Sequence, residues 1–102
     1  MGYYVTVQSY NLSANGLKRL PKDLYDIWDL DGENINITEL HFKWGCGWFL
    51  EDLKKLAKAG VTGEVELYGE EGEWYKYVLR DGRVEEYLGS VVYEEEPNEI
   101  YE

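Results

Sequence analysis

The chain has 102 residues, 44% of them hydrophobic and 16% aromatic, which suffices for one domain with a buried core and is too little for two. Its single cysteine, Cys46, excludes an internal disulfide, and with one histidine, His41, and no Cys-x-x-Cys or His-x-x-x-His spacing the donors for a zinc site are lacking. A net charge of −11 argues against nucleic acid and anionic membranes as partners and favours a basic protein surface or simple solubility.

That charge is unevenly placed. Up to Thr62 there are eight acidic and seven basic residues, and from Gly63 onward thirteen acidic and three basic. The start carries no basic leader and the apolar runs are only a few residues long, so a soluble, cytoplasmic chain in a reducing compartment is expected, without a signal peptide or membrane span. Met1-Gly2-Tyr3-Tyr4-Val5-Thr6 fits the loose myristoylation pattern, but the same residues read as the start of a strand. The sequons at Asn11 and Asn36 carry no meaning without a secretory signal.

Tyr3 to Tyr10 alternates Tyr3, Val5 and Val7 against Tyr4, Thr6 and Gln8, which predicts a first strand, with turn chemistry from Asn11 to Gly16. Leu17, Leu20, Leu24, Ile27 and Trp28 recur at three- and four-residue steps and predict an amphipathic helix to about Asp29, with Pro21 in its first turn or at a slight break. Asp31-Gly32 closes that region. Ile35 to Trp44 reads as a second strand whose apolar parity changes, from Ile35 and Ile37 to Leu40, Phe42 and Trp44; a bulge near Thr38 and Glu39 would account for this. His41 falls on the opposite side from Phe42 and reads as structural or solvated.

Gly45-Cys46-Gly47 leads into a second helix, Trp48 to Ala59, with Phe49, Leu53, Leu56 and Ala57 as its apolar face and Gly60 as its stop. Glu51 and Asp52 in the first turn and Lys54, Lys55 and Lys58 toward the end suit the helix dipole, and Glu51 and Lys55 are spaced for an ion pair. Cys46 near a helix N-terminus could be an activated thiol. The plainer reading is a small buried residue between two glycines.

The last third predicts a three-stranded meander. Asp81-Gly82 is a favoured two-residue hairpin turn, which sets Arg80 opposite Arg83, Leu79 opposite Val84, Tyr77 opposite Glu86 and Tyr75 opposite Leu88. For the turn before it, a loop of five residues, Gly69 to Glu73, places Leu67 opposite Tyr75 and Val65 opposite Tyr77, whereas four residues would bury Glu66. The longer loop also pairs Glu66 with Lys76 and Tyr68 with Trp74, each such pair contributing roughly 0.2–1 kcal/mol.

Assembled, residues 1–94 predict a single α+β domain of order β-α-β-α-β-β-β, a two-layer, loosely ferredoxin-like sandwich with two helices on one face of a mostly antiparallel sheet. Residues 95–102 read as an acidic tail that frays. The predicted core is Leu67, Tyr75, Tyr77, Leu79, Val84, Leu53, Leu56, Leu24 and Trp28. The other sheet face stays open and displays Tyr68, Trp74 and Tyr87 among Glu64, Glu66, Lys76, Glu85 and Arg83.

The opening Met1-Gly2-Tyr3-Tyr4, then Lys43-Trp44 before Glu51-Asp52-Leu53, then Gly69-Glu70-Glu71-Gly72-Glu73-Trp74-Tyr75-Lys76-Tyr77 closing on Asp81-Gly82-Arg83-Val84, resemble a family of small phage and prophage proteins. The likeness spans most of the chain, departing at Val5, in the Leu17–Asp29 segment and at Cys46. It implies a viral or mobile-element origin and carries no assigned activity.

No catalytic, metal or nucleotide motif stands out, and no cofactor is expected. The leading expectation is a non-enzymatic binding protein that presents Glu64, Glu66, Tyr68, Trp74, Glu85 and Tyr87 to a basic protein surface, as a nucleic-acid mimic or competing inhibitor. The alternatives are an assembly protein that self-associates, as a homodimer or larger, through exposed edge strands, and an enzyme built on Cys46 and His41.

Overall fold

The computed structural model describes residues 3–45, 47–89 and 97–102, and among these the chain forms eight strands and one helix. The strands are β1 (Tyr4–Ser13), β2 (Trp28–Asp31), β3 (Asn34–Ile37), β4 (His41–Lys43), β5 (Thr62–Gly69), β6 (Trp74–Arg80), β7 (Arg83–Gly89) and β8 (Glu99–Tyr101), with α1 (Trp48–Lys58) between β4 and β5. They make one antiparallel sheet of order β2-β3-β1-β5-β6-β7-β8, and β4 pairs with β1 beside β3. Gly2 and Cys46, with the acylation and thiol readings attached to them, lie outside the described residues.

The two-helix sandwich is therefore not the fold. The segment from Leu17 to Ile27 is irregular, and Trp28 begins β2, so one helix covers the sheet rather than two. Pro21 disfavours helical geometry at Leu20, and Asp23 takes a left-handed φ of 65° that ends any helical run. The three- and four-residue spacing still tracks burial. Ile27 and Trp28 enter the core, and Leu17, Leu20 and Leu24 pack half-buried against it. Asp31-Gly32, expected to close a helix, instead opens the two-residue turn between β2 and β3, with Gly32 at φ 61°.

The change of parity between Ile37 and Phe42 is real. β3 and β4 pair with β1 in one continuous register, Leu12 with Ile35 and Val5 with Phe42, but the chain parts from β1 in between. There the Thr38 N–H turns away to Ile27 O at 2.7 Å, and the chain rejoins β1 where Leu40 O accepts from Val7 N–H at 2.7 Å. β1 adjusts at the same level, because its register against β5 shifts between Val7 and Ser9 and leaves Gln8 as an extra residue. Val5 and Val7 before the bulge and Leu12 after it thus face the same core.

The meander has the register its sequence predicts. Leu67 faces Tyr75, Val65 faces Tyr77, Glu66 faces Lys76 and Tyr68 faces Trp74. Across the next hairpin Leu79 faces Val84, Tyr77 faces Glu86 and Tyr75 faces Leu88, and Asp81 and Gly82 both take positive φ, 54° and 76°. Within the stretch read as a fraying tail, Glu99–Tyr101 pair with β7 as β8.

Helix α1 buries Phe49, Leu53, Leu56 and Ala57 against β6 and β7. It ends in a full Schellman arrangement: Gly60, at φ 102°, donates to Ala57 O at 3.0 Å, and Val61 N–H reaches Leu56 O at 3.0 Å, with Val61 itself buried. The expected ion pair shifts by one position, since Lys54 takes Glu51 at 3.1 Å while the Lys55 ammonium donates to Asp23 O at 2.9 Å. Asp52 is not a wet first-turn acid. It is buried and accepts from the Tyr25 backbone N–H at 3.0 Å and from Trp28 Nε1 at 2.8 Å, both on Oδ2, so it pins the irregular segment onto the helix.

Candidate functional site

Two surfaces collect the chemistry, one on each face of the sheet. The outer face, away from α1, is lined by every second residue of the meander: Glu64, Glu66 and Tyr68 on β5, Trp74, Lys76, Val78 and Arg80 on β6, and Glu85 and Tyr87 on β7. Strand pairing brings all six residues proposed for partner binding onto this face. Tyr68 and Glu64 are exposed, and Glu66, Trp74 and Tyr87 are half-buried. The Tyr68 and Trp74 rings meet edge-on, 4.9 Å between centroids at 61°.

Glu85 departs from the others. Only 3% of it is exposed, its Oε1 takes the Arg80 guanidinium at 2.7 Å, and the Tyr87 hydroxyl donates to the same oxygen at 3.2 Å. The hydrogen bond from Arg80 holds its carboxyl below the usual carboxylate range, ahead of the opposing effect of burial. Burial pushes the Tyr87 phenol up, and the Lys76 ammonium lies over its ring, 5.2 Å from the centroid. Glu85 and Tyr87 therefore belong to a cluster that is already internally matched, and beside it lie Glu64, Tyr68 and Trp74, with Glu66 opposite Lys76 across β5 and β6. His41, on the same face, bonds through Nδ1 to Thr6 Oγ1 at 2.9 Å and stacks on Tyr4, with ring centroids 5.1 Å apart.

The second surface lies on the inner face, where the sheet extends past the start of α1. A cavity of about 240 Å³ opens there, walled by Tyr3, Trp44, Tyr75, Tyr77 and Tyr101, with Val5 and Leu50 beneath and Glu86 among the rings. The register explains the gathering. Tyr75 and Tyr77 alternate inward on β6, Glu86 sits opposite Tyr77, Tyr101 sits opposite the core residue Val84, and the Trp44 N–H donates to Tyr3 O at 2.7 Å. The Trp44 ring lies near-parallel to both Tyr75 and Tyr77, at 12° and with centroids 6.5 and 6.4 Å away.

The carboxylate of this cup is already hydrogen-bonded. Tyr77 donates to Glu86 Oε2 at 2.8 Å, and Tyr101 and Asn98 Nδ2 reach Oε1 at 3.4 and 3.5 Å. Tyr3 donates to Glu73 at the rim, and that bond is the first cause holding the Glu73 carboxyl below its ordinary range. Burial, first of all, raises the phenols of Tyr3, Tyr75, Tyr77 and Tyr101. Sequence reasoning placed Tyr75 and Tyr77 in the core and did not see the cup, because a second helix was expected to cover this part of the sheet.

Among the described residues no group of three His, Cys, Asp or Glu side chains is arranged to hold a metal ion, and no helix is long and apolar enough to cross a membrane. No family model, curated protein or solved structure matches the chain.

Proposed function

We propose that the protein is a non-enzymatic binding domain, acting in the cytoplasm, whose outer sheet face takes a basic protein surface, in the manner of an inhibitor that stands in for nucleic acid. The observation that carries this reading is the Tyr68 and Trp74 pair, accessible on an open sheet face with Glu64 and Glu66 beside it on β5. Flat rings offer arginine and lysine a stacking partner, and the carboxylates offer them charge and acceptors. The resemblance to small phage and prophage proteins adds a mobile-element setting for such an inhibitor. Assembly through sheet edges has less to build on, since among the described residues the edge strands β2, β4 and β8 have four, three and three residues, and β2 and β8 carry Asp29, Asp31 and Glu99.

The test is a titration with a fluorescent polyarginine peptide at low and at physiological salt, on wild type, on Glu64→Gln/Glu66→Gln and on Tyr68→Ala/Trp74→Ala. The first pair should flatten the salt dependence, and the second should weaken binding at both salts. Affinity and salt slope unchanged in both variants would place the basic partner elsewhere.

A further inference from the structure

We propose that the inner-face cup is a binding site for a methylated ammonium group. It is lined by Tyr3, Trp44, Tyr75 and Tyr101, with Tyr77, 1% exposed, behind them, and among the described residues its one carboxylate is Glu86. Several ring faces around one carboxylate form an electron-rich, negatively charged pocket, and a cation desolvated against such faces is held by the ring quadrupoles. The cavity, about 240 Å³, falls below the roughly 300–1,000 Å³ of pockets that enclose drug-sized ligands, so its occupant is a head group or one side chain.

Hydrogen-bond supply decides between kinds of cation. The Glu86 oxygens already accept from Tyr77, Tyr101 and Asn98, and the Tyr3 hydroxyl is engaged with Glu73. A primary ammonium or a guanidinium would bring three or five N–H donors, for which only the remaining lone pairs of Glu86 and of the phenol oxygens are at hand, so part of its hydration would go unreplaced. A trimethylammonium has no N–H to satisfy. Its methyl groups gain from apolar burial while its charge keeps the attraction of the rings and of Glu86. The cup faces away from the surface proposed for the basic partner, so either site can fail without the other.

Calorimetric titration tests the inference with four probes: choline, its neutral isostere 3,3-dimethylbutanol, a peptide carrying trimethyl-lysine, and the same peptide with unmodified lysine. Binding of choline or of the trimethyl-lysine peptide at least tenfold tighter than that of its unmethylated or neutral counterpart is expected. That preference should be lost in Glu86→Gln and in Tyr75→Leu, whose folding is checked by thermal melting and near-ultraviolet circular dichroism. Trp44 offers a fluorescence readout on the wall of the site. Whichever methylated probe binds tighter identifies the source as a free small molecule or a modified protein. Equal binding of the neutral isostere, equal binding of unmodified lysine, no binding of any probe, or binding that survives both substitutions in a folded protein overturns the proposal.

Discussion

Replacing Asp52 by alanine should be among the most damaging single changes in the chain, even though it removes an acidic residue from a strongly acidic protein. Asp52 is 1% exposed, and its Oδ2 takes the Tyr25 N–H at 3.0 Å and Trp28 Nε1 at 2.8 Å. Alanine would leave both donors without their acceptor. A buried donor stripped of its partner costs about 1–3 kcal/mol. The indole N–H is enclosed and bears the full cost, while the Tyr25 N–H, on a residue whose side chain is 54% exposed, can recover part of it from water. The sum is about 2–4 kcal/mol, which for a domain of this size lowers Tm by roughly 10–25 °C. Asparagine supplies a neutral oxygen in the same place and should cost less than about 1.5 kcal/mol. Urea unfolding of D52A, D52N, W28F and the D52A/W28F double variant measures these terms, and the cycle should show coupling of about 1 kcal/mol or more. If D52A unfolds within about 0.5 kcal/mol of wild type, as an ordinary surface substitution would, the carboxylate does not anchor the Leu17 to Ile27 segment. If D52N costs as much as D52A, the charge matters rather than the acceptor.

Gly63→Ala should destabilise more than Gly82→Val. At Gly63, φ is 131° and a Cβ would overlap the Asn11 carbonyl oxygen and sit 2.9 Å from Leu12 Cα, so β1 and β5 must part. At Gly82 nothing lies within 4 Å and only the left-handed φ is violated, at about 1–2 kcal/mol; thermal melts that reverse this order would contradict the close approach of β1 and β5. The third expectation concerns acid. Glu85 has its carboxyl lowered in the folded protein by Arg80, so its contribution to stability is present above the unfolded value, about 4.3, and is lost as pH falls through the folded one. Urea midpoints of Glu85→Gln should therefore fall less steeply than those of wild type below about pH 4.5, and equal slopes would remove the Arg80 pair from the account.

How much of this was legible in the residues depended on whether local and long-range signals agreed. In the meander they did. The Asp81-Gly82 turn and the alternation of Val65, Leu67, Tyr75, Tyr77 and Leu79 demand one register, and that register formed. Helix α1 likewise carries its period in eleven consecutive residues, with its Gly60 stop just past the C-cap. Between Leu17 and Trp28 the signals conflicted. The spacing of apolar residues is helical, but Pro21 and the left-handed Asp23 break the backbone, and Trp28 is claimed by pairing with Ile37. Periodicity correctly reported which side chains turn inward and misreported the backbone that turns them. The burial of Glu85 escaped for another reason: alternation puts Arg80 and Glu85 diagonally on the same outer face across the hairpin, but it does not tell that the Arg80 and Tyr87 side chains close over the carboxylate.

The aromatic cup lies at one end of the inner sheet face, lined on the helix side by Leu50 alone. Register sends Tyr75, Tyr77 and Glu86 to the inner face whatever covers it, and with two helices those rings would be core. Among the described residues, α1 packs on β6 and β7 and the Leu17–Ile27 segment on the core beside it, and the cavity opens among Tyr3, Trp44 and Tyr101. A half-covered face would ordinarily be closed with aliphatic side chains or left polar. Here it is lined with four tyrosines and a tryptophan, side chains that combine apolar area with hydroxyl or N–H groups and that pack around a carboxylate at little entropic cost. The Tyr77, Tyr101 and Asn98 donors to Glu86 tie β6, β7 and the approach to β8 together, so the cup keeps its shape through bonds internal to the sheet. Such a cavity meets the requirement for selective recognition of a cation without hydrogen-bond donors: the rings are positioned before the ligand arrives, and the carboxylate is held by donors that the ligand does not need to displace.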